Sequence, residues 1–218
     1  MSQAIQQSID LLDDLVLAGV WTRGSSFDEI LAASDVLIDF SLPAANAEVL
    51  EAVSKQQKPL VCGVSGLNAE QLAAMQAVAT AVPIVFDRNM SQGVSVLERV
   101  VQDVAGSLGP EFSVEIHETH HVHKLDSPSG TALKLAESVA SGKGADVESA
   151  GIHFEVERRG EVPGDHSVIF TSPTETLTFK HSVTTRQVFA DGALRAARWL
   201  IGQNPGLYQM RDVLFGDA

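Results

Sequence analysis

The residue types best suited to chemistry lie together between positions 118 and 131. This stretch reads Glu-Thr-His-His-Val-His-Lys-Leu-Asp-Ser-Pro-Ser-Gly-Thr, so three histidines and a lysine precede a Pro-Ser-Gly-Thr turn. Imidazole and ammonium groups are the proton donors that enzymes place around a reacting anion. A fold has no structural need for this density of them, because neighbouring cationic groups repel one another once they lose water. We therefore predict that this segment carries the chemistry.

The flanking sequence indicates how the segment is held. The alternating residues 112–116 before it predict a strand that delivers the cluster to a loop, which is where α/β folds bind ligands. The Ser129-Gly130-Thr131 turn precedes a helical pattern, and it offers backbone N–H groups and a hydroxyl to a carboxylate. Simple capping of the helix is the structural alternative, and both uses can hold at once.

The pattern of apolar residues predicts an α/β fold with two domains. Short apolar runs at 15–21, 36–40, 60–62 and 84–86 predict strands, and amphipathic stretches at 44–56, 69–82 and 94–108 predict helices. This βαβ succession is typical of a parallel sheet. The second half predicts an α+β domain with a mixed or antiparallel sheet from strands at 112–118, 152–158, 167–171 and 176–181 and a helix at 131–141.

We place the domain boundaries near 91–93 and 184–187. The first domain then takes residues 1–91 and 187–218, because the amphipathic helix at 190–203 returns to it, and the second takes 92–186.

Composition excludes several classes of partner. Lys+Arg 15 against Asp+Glu 28 gives a net charge of −13, which does not fit a protein that binds nucleic acid or an anionic membrane. The single cysteine, Cys62, lies in an apolar run, excludes an intrachain disulfide and fits a reducing cytoplasm. No run is long and apolar enough to span a bilayer. We predict a cytoplasmic protein in which residues 120–124 form a local basic pocket for an anionic ligand.

A second interpretation of the histidines is a zinc site. Residues 117–121 match the H-E-x-x-H pattern of zinc hydrolases through His117, Glu118 and His121. That pattern binds zinc only when a helix brings both histidines onto one face. The alternating strand before it and Pro128 soon after it leave little room for a helix. We predict no metal, and a zinc-dependent hydrolase stays as an alternative function.

Residues at the ends of the predicted first-domain strands suit a nucleotide. Gly63 and Gly66 would allow close approach of a ligand, although spacing alone favours an ordinary tight turn. Arg23 follows the predicted strand at 15–21, where a dinucleotide fold reads the ribose 2′ position. A solvated surface arginine is the alternative.

Residues 118–132 resemble the signature of the 4-hydroxy-tetrahydrodipicolinate reductase (dihydrodipicolinate reductase) family, which usually reads E-A-H-H-x-x-K-x-D-A-P-S-G-T-A. Further blocks similar to the family's, in the same order, lie at 38–41, 63–66, 89–94, 163–166, 189–193 and 210–214. The resemblance covers nearly the whole chain. It implies an NAD(P)H-dependent reductase of bacterial lysine (diaminopimelate) biosynthesis, with a Rossmann-like domain, a mixed-sheet domain that binds substrate and mediates oligomerisation, and a homotetrameric assembly.

The resemblance also implies roles for individual residues. Position by position, His120 is the proton donor or acceptor, and Lys124 is a proton donor. His121, Gly130 and Thr131 would hold the carboxylates of a dicarboxylate substrate. The nicotinamide of NADH or NADPH would be lined by two loops, made of Gly63, Val64 and Ser65 and of Asp87, Arg88, Asn89 and Met90, in addition to the contact predicted above for Arg23. Val64 and Ser65 stand where the family often has two threonines, and Asp87 and Arg88 stand where small residues are usual.

The family pattern begins with a strand and a G-x-x-G-x-M-G loop that carries the pyrophosphate, and this sequence does not contain them. Met1 aligns with the methionine of that loop, and Ser2 takes the place of the last glycine. We expect Met1 to be an internal methionine taken as a start and the dinucleotide-binding domain to be incomplete. The resulting alternative is a weakened or inactive homologue that acts as a binding or assembly protein.

Overall fold

The computed structural model describes residues 1–22 and 27–216. The chain divides into two compact units, one made of Met1–Ser91 with Gln187–Ala218 and the other of Gln92–Arg186. The dinucleotide-binding and substrate-binding functions expected of these two parts stay predictions. Among the described residues, no helix has both the length and the apolar character that crossing a bilayer requires.

The first unit contains a four-stranded parallel sheet, which confirms the predicted Rossmann-like class. Its strands in spatial order are β1 (Leu37–Asp39), β2 (Leu60–Cys62), β3 (Pro83–Phe86) and β8 (Gly206–Tyr208). Its helices are α1 (Ser2–Ile9), α2 (Phe27–Ala32), α3 (Asn46–Gln56), α4 (Ala69–Val78), α7 (Gln187–Leu200) and α8 (Met210–Phe215). All of β2 is buried because helices cover both faces of the sheet. Leu60 and Cys62 pack in one core cluster with Val49 and Met75, whereas Val61 packs in another with Ala193.

Local sequence explains where the helices of this unit begin and end. At α4, the side chain of Asn68 accepts from the Gln71 N–H at 2.9 Å, and the Gln71 side chain accepts from the Asn68 N–H at 3.0 Å. This reciprocal capping satisfies two N–H groups that have no partner inside the helix. In α7, the buried residues Ala190, Ala193 and Leu194 follow the spacing of one helix face. The amphipathic pattern at 190–203 therefore predicts α7 correctly, apart from its ends.

The strand predicted at 15–21 is wrong, because this segment has no regular secondary structure. Its apolar residues favour a strand, but a strand forms only when its main chain pairs with another. Within the described residues, β1 pairs with β2 alone. A cavity of about 860 Å³ is lined by this segment and by β1, through residues that include Leu15, Val20 and Ile38. Val16 is 90 % exposed, so the apolar pattern here is not buried in a sheet.

The second unit contains a mixed four-stranded sheet with two helices. Its strands in spatial order are β5 (Ile152–Arg158), β4 (Ser113–His120), β6 (Asp165–Thr171) and β7 (Thr176–Ser182), and its helices are α5 (Gln92–Ser107) and α6 (Gly130–Gly142). Because β4 pairs in parallel with β5 and antiparallel with β6, the mixed sheet expected from the sequence is confirmed. Burial alternates along β4, and Val114 and Ile116 pack in the core with Leu135 of α6. This alternation decides which face each later residue of β4 occupies.

Glycines allow α5 and α6 to pack closely. A Cβ atom on Gly142 would lie only 2.1 Å from the main-chain oxygen of Gln102, and one on Gly106 would lie 3.0 Å from the oxygen of Gly142. Real Cβ atoms do not approach a carbonyl oxygen as closely as the first distance. The two helices are thus packed against each other at backbone distance near their C-terminal ends.

Candidate active site

His120 and Lys124 lie at the carboxyl end of β4. The prediction that the cluster sits on a loop is correct for Lys124 and wrong for His120, which is the last residue of the strand and is buried. Side chains alternate along a strand, so His120 shares the helix-covered face with Ile116 and Glu118. The proton-donor candidate is therefore held by the sheet itself.

Lys124 follows in the loop after β4. Its Nζ atom lies 2.8 Å from Oδ1 of Asp126, and the lysine side chain is 23 % exposed. Partial burial opposes ionisation of Asp126, but the hydrogen bond and the charge of Lys124 outweigh it, so the pKa of Asp126 lies below its usual value. The ion pair holds the ammonium group close to the end of the strand.

Glu118 is a buried carboxylate at the centre of the cluster. Its two oxygens accept from the N–H of Ser129 at 3.1 and 3.2 Å, and Oε1 also accepts from Arg158 at 3.2 and 3.3 Å. Oε2 lies 3.6 Å from Nδ1 of His120 and 3.7 Å from Nε2 of His166. Three strands and the start of α6 therefore meet at one carboxylate.

The start of α6 supplies the turn expected to bind a carboxylate. Ser129 caps the helix, because its Oγ accepts from the Ala132 N–H at 3.1 Å, and the same Oγ lies 3.2 Å from Nε2 of His166. Gly130 is the first residue of the helix and Thr131, the second, is buried. N–H groups in the first turn have no partner inside the helix and attract anions. Capping is thus present, and the same turn can bind a carboxylate.

Burial decides the protonation of two histidines in this cluster. It lowers the pKa of His120 below the usual value; the charge of Glu118 opposes this shift, and those of Lys124 and Arg158 add to it. Burial, with the nearby His120, lowers the pKa of His166 to about 3. His166 is therefore neutral at physiological pH, whereas at His120 the charge of Glu118 favours the protonated form against the effect of burial.

Gly164 leaves room beside the imidazole of His120. A Cβ on Gly164 would lie 3.1 Å from Nε2 of His120, and the φ of Gly164 is +153°. We predict that Gly164→Ala lowers kcat about tenfold or more, because displacing a catalytic group by a fraction of an ångström is costly. Gly160→Ala is the matched control: its φ is +49°, but no atom lies within 4 Å of the new Cβ. Equal kcat in the two variants, at matched melting temperature, would contradict crowding of His120.

The predicted cofactor residues of the first unit follow β2 and β3. Because β1, β2 and β3 are parallel neighbours, their carboxyl ends lie at one edge of the sheet, where such folds bind nucleotides. Ser65 and Arg88 are exposed there. Asp39, at the end of β1, has a buried Oδ2 that accepts no hydrogen bond from the described residues. This edge therefore presents an acceptor that a ligand hydroxyl could satisfy.

Several of those cofactor residues also serve the fold. The side chains of Val64 and Met90 are buried in core clusters, which leaves only their main chain for a ligand. A Cβ on Gly63 would lie 2.3 Å from the ring of Phe40, so packing alone requires this glycine. Asp87 accepts from the N–H groups of Asn89 at 3.1 Å and Met210 at 3.2 Å. Arg23 lies outside the described residues.

The zinc alternative lacks the helix that its motif needs. His117 and Glu118 are consecutive residues of β4, so their side chains point to opposite faces of the sheet. His117 instead lies 3.0 Å from Glu115 and 3.2 Å from Glu155. A different trio, Glu118, His120 and His166, is close enough to share a metal ion. The guanidinium of Arg158 already supplies positive charge to that carboxylate.

Sequence reasoning missed Arg158 as a neighbour of the catalytic candidates, whereas it placed Ser129 in the turn expected to bind a carboxylate. His121, which it did predict, is partly buried, and its Nδ1 has no hydrogen-bond partner among the described residues. The alternation along β4 could have predicted a partner for Glu118. Residues 114, 116, 118 and 120 lie on the buried face of the strand. A buried carboxylate is stable only when a positively charged or hydrogen-bonding group is next to it.

Comparison with known proteins gives one consistent result. A family model described as dihydrodipicolinate reductase, N-terminus, matches residues 2–90, and one described as dihydrodipicolinate reductase, C-terminus, matches residues 93–214. The 4-hydroxy-tetrahydrodipicolinate reductase of Alkalilimnicola ehrlichii is 40% identical over 206 residues, which cover 88% of this chain and 77% of the relative. The enzyme of the same name from Zymomonas mobilis is 38% identical over 235 aligned residues, covering 98% and 92%.

A solved structure has a similar fold. The dihydrodipicolinate reductase from Paenisporosarcina sp., determined with dipicolinate bound, superposes with a TM-score of 0.74 and covers 95% of this chain and 92% of its own. Its sequence is 20% identical, so this likeness concerns the fold.

Proposed function

Because the chain belongs to the dihydrodipicolinate reductase family, we propose that it reduces 4-hydroxy-tetrahydrodipicolinate to tetrahydrodipicolinate with NADH or NADPH. It is an NAD(P)H-dependent oxidoreductase, and its membership of this family supports the role in lysine biosynthesis that the sequence predicts. The observation that carries the assignment of the site is the convergence of His120, Lys124 and the start of α6 in the second unit.

His120 and Lys124 are the proposed proton donors. In this reaction the substrate ring gains hydride at carbon and loses its hydroxyl, which needs a proton to leave as water. When bound, the nicotinamide supplies the hydride. Lys124 is held by Asp126 at 2.8 Å, and His120 is held by the strand. Positioned acids of this kind avoid the cost of collecting a proton from water.

The substrate is proposed to bind as a dicarboxylate in the second unit. Gly130 and Thr131 lie in the first turn of α6, where N–H groups favour a carboxylate, and His121 adds a ring nitrogen without a protein partner among the described residues. The solved relative holds dipicolinate, a dicarboxylate, which supports this class of ligand.

The cofactor is proposed to bind at the carboxyl edge of the first-unit sheet. The contacts would come from the main chain of Gly63 and Val64, the exposed Ser65 and Arg88, and the loop through Asn89 and Met90 beside Asp87. The unpartnered Oδ2 of Asp39 fits a ribose hydroxyl. Arg23 is proposed to contact the 2′ position of the cofactor's ribose, which carries a phosphate in NADPH and a hydroxyl in NADH. Replacing Arg23 by alanine should therefore weaken the binding of NADPH more than the binding of NADH.

We also propose a homotetramer in the cytoplasm. The outward face of the second-unit sheet carries alternating exposed residues on β5 and β7, which leaves a broad surface for a second copy. Analytical ultracentrifugation of the purified protein tests the number of subunits.

The decisive experiment is a spectrophotometric assay of NADH and NADPH oxidation with freshly made 4-hydroxy-tetrahydrodipicolinate. Oxidation that depends on substrate supports the reductase. Binding of dipicolinate by calorimetry without any turnover would instead support the weakened homologue that acts as a binding protein.

His121→Ala and Thr131→Val are predicted to raise KM more than they lower kcat. Contacts with carboxylates that do not react are shared by the ground state and the transition state, so their loss weakens binding above all. Thr119→Val is the matched control, because Thr119 hydrogen-bonds Glu157 at 3.0 Å, away from the proposed site. A KM that is unchanged in both site variants removes these residues from substrate binding.

A further inference from the structure

We propose that Glu118 and Arg158 form an ion pair that positions both proton donors, His120 and Lys124, together with the carboxylate-binding turn of α6. Neither residue is a proton donor in the proposed reaction, and each acts through the groups it holds. The inference rests on the proposed function for its kinetic part only.

Glu118 fixes the start of α6. Its side chain has no exposed surface, and both of its oxygens accept from the main-chain N–H of Ser129. Ser129 caps the helix and directly precedes Gly130 and Thr131. A shift of the Glu118 carboxylate would therefore move the turn that the substrate is proposed to contact.

Arg158 fixes the loop that carries Lys124. Its Nε donates to the carbonyl oxygen of Lys124 at 3.3 Å, and its Nη2 donates to that of Asp126 at 2.5 Å. Its two terminal nitrogens also donate to Oε1 of Glu118. A planar guanidinium can serve a carboxylate and two carbonyls at once, which an ammonium group cannot do with the same geometry. The backbone on both sides of Leu125 is thereby tied to the end of β5.

A contribution to the stability of the fold does not by itself explain the ion pair of Glu118 and Arg158. Removing two charges from water is costly, and replacing a buried ion pair by packed apolar groups often leaves stability unchanged or improved. The Arg158 side chain is 21% exposed and that of Glu118 is fully buried, so the carboxylate bears most of this cost. What the pair adds is orientation, because it links β4, β5, the Lys124 loop and the cap of α6 in one set of hydrogen bonds.

The two charges act on His120 in opposite directions. The charged and titratable groups around His120 are Glu118, Lys124, Asp126, Arg158 and His166. Glu118 raises the pKa of His120 and Arg158 lowers it, against the larger effect of burial. Loss of the carboxylate should lower this pKa further, and loss of the guanidinium should raise it.

The test uses the variants Glu118→Gln, Arg158→Gln and Arg158→Lys of the full chain. Glu115→Gln and Arg159→Gln are matched controls, because Glu115 lies on the opposite face of β4 and Arg159 is a 64% exposed neighbour of Arg158. The pKa of His120 is measured by NMR titration of histidine-labelled protein without cofactor or substrate, with His120→Gln used for assignment. Steady-state kcat and KM and the melting temperature are measured in parallel.

We expect the pKa of His120 to fall in Glu118→Gln and to rise in Arg158→Gln, with both controls unchanged. We expect kcat to fall about ten- to a hundredfold in Arg158→Gln. Arg158→Lys keeps the positive charge, so the pKa of His120 should lie closer to that of the parent, but kcat should stay almost as low as in Arg158→Gln. General loosening of the structure would expose His120 and raise its pKa in both charge-removing variants.

The proposal is overturned if the pKa shifts share one direction or are absent, or if Arg158→Gln keeps kcat within twofold of the parent. Should Glu118→Gln fail to fold, the comparison of the two Arg158 variants decides, because Arg158→Lys keeps the charge and should leave the pKa of His120 below that in Arg158→Gln while kcat stays low, whereas general loosening would raise the pKa equally in both. If the parent protein does not oxidise NADH or NADPH with substrate, the proposed function fails. The NMR titration still tests the positioning.

Discussion

Lys124→Ala is expected to lower kcat by about a hundredfold or more, because removing a positioned proton donor typically costs that much. Its ammonium group lies 2.8 Å from Asp126, and the main chain of the loop is tied to Arg158. Truncating the side chain leaves those main-chain contacts in place. Steady-state kinetics with both nicotinamide cofactors measure the effect.

The fold should tolerate this substitution. A partly exposed ion pair contributes at most about 1 kcal/mol, so the melting temperature should change by less than about 4 °C. Lys180→Ala is the matched control, since Lys180 pairs with Asp165 at 3.4 Å and is 55% exposed. A Lys124→Ala variant that keeps kcat within threefold of the parent would show that Lys124 donates no proton.

The long elements of the fold are predicted from their period, and the short strands β1, β2 and β3 are predicted from unbroken apolar runs. Burial alternates along the eight residues of β4, and α7 repeats its apolar positions over 14 residues. Three short elements, α2, β8 and α8, have six residues or fewer, which is too few for either period to be recognised.

The sequence does not predict which strands pair with each other or which distant residues come into contact. Residues 15–21 carry a strand pattern, yet no described strand lies beside them, and a local pattern holds no information about partners. The same limit applies to the candidate site. His120 and Lys124 are four positions apart and were predictable together, whereas Arg158 is 40 positions from Glu118 and meets it only because β4 and β5 are neighbours.

The sheet also changes how His120 should be tested. A loop histidine could be truncated to alanine without harm, but His120 is buried at the end of β4 against His166, with ring centroids 4.9 Å apart. Alanine would leave a cavity among polar groups and confuse loss of stability with loss of chemistry. Glutamine retains most of the volume and hydrogen-bonding capacity but cannot carry a proton as an acid.

His120→Gln is accordingly expected to lower kcat by about a hundredfold or more while KM changes little. Its pH dependence gives a second measurement. Burial lowers the pKa of His120, and the protonated imidazole is the donor, so kcat/KM of the parent should fall as pH rises through a pKa lower than that of an ordinary histidine. This fall of kcat/KM with rising pH should be absent in His120→Gln. It should be unchanged in the control His123→Gln, because the His123 ring is 74% exposed and pairs with Glu161. A parent-like fall in the His120 variant would assign the titration to another group and remove His120 as the acid.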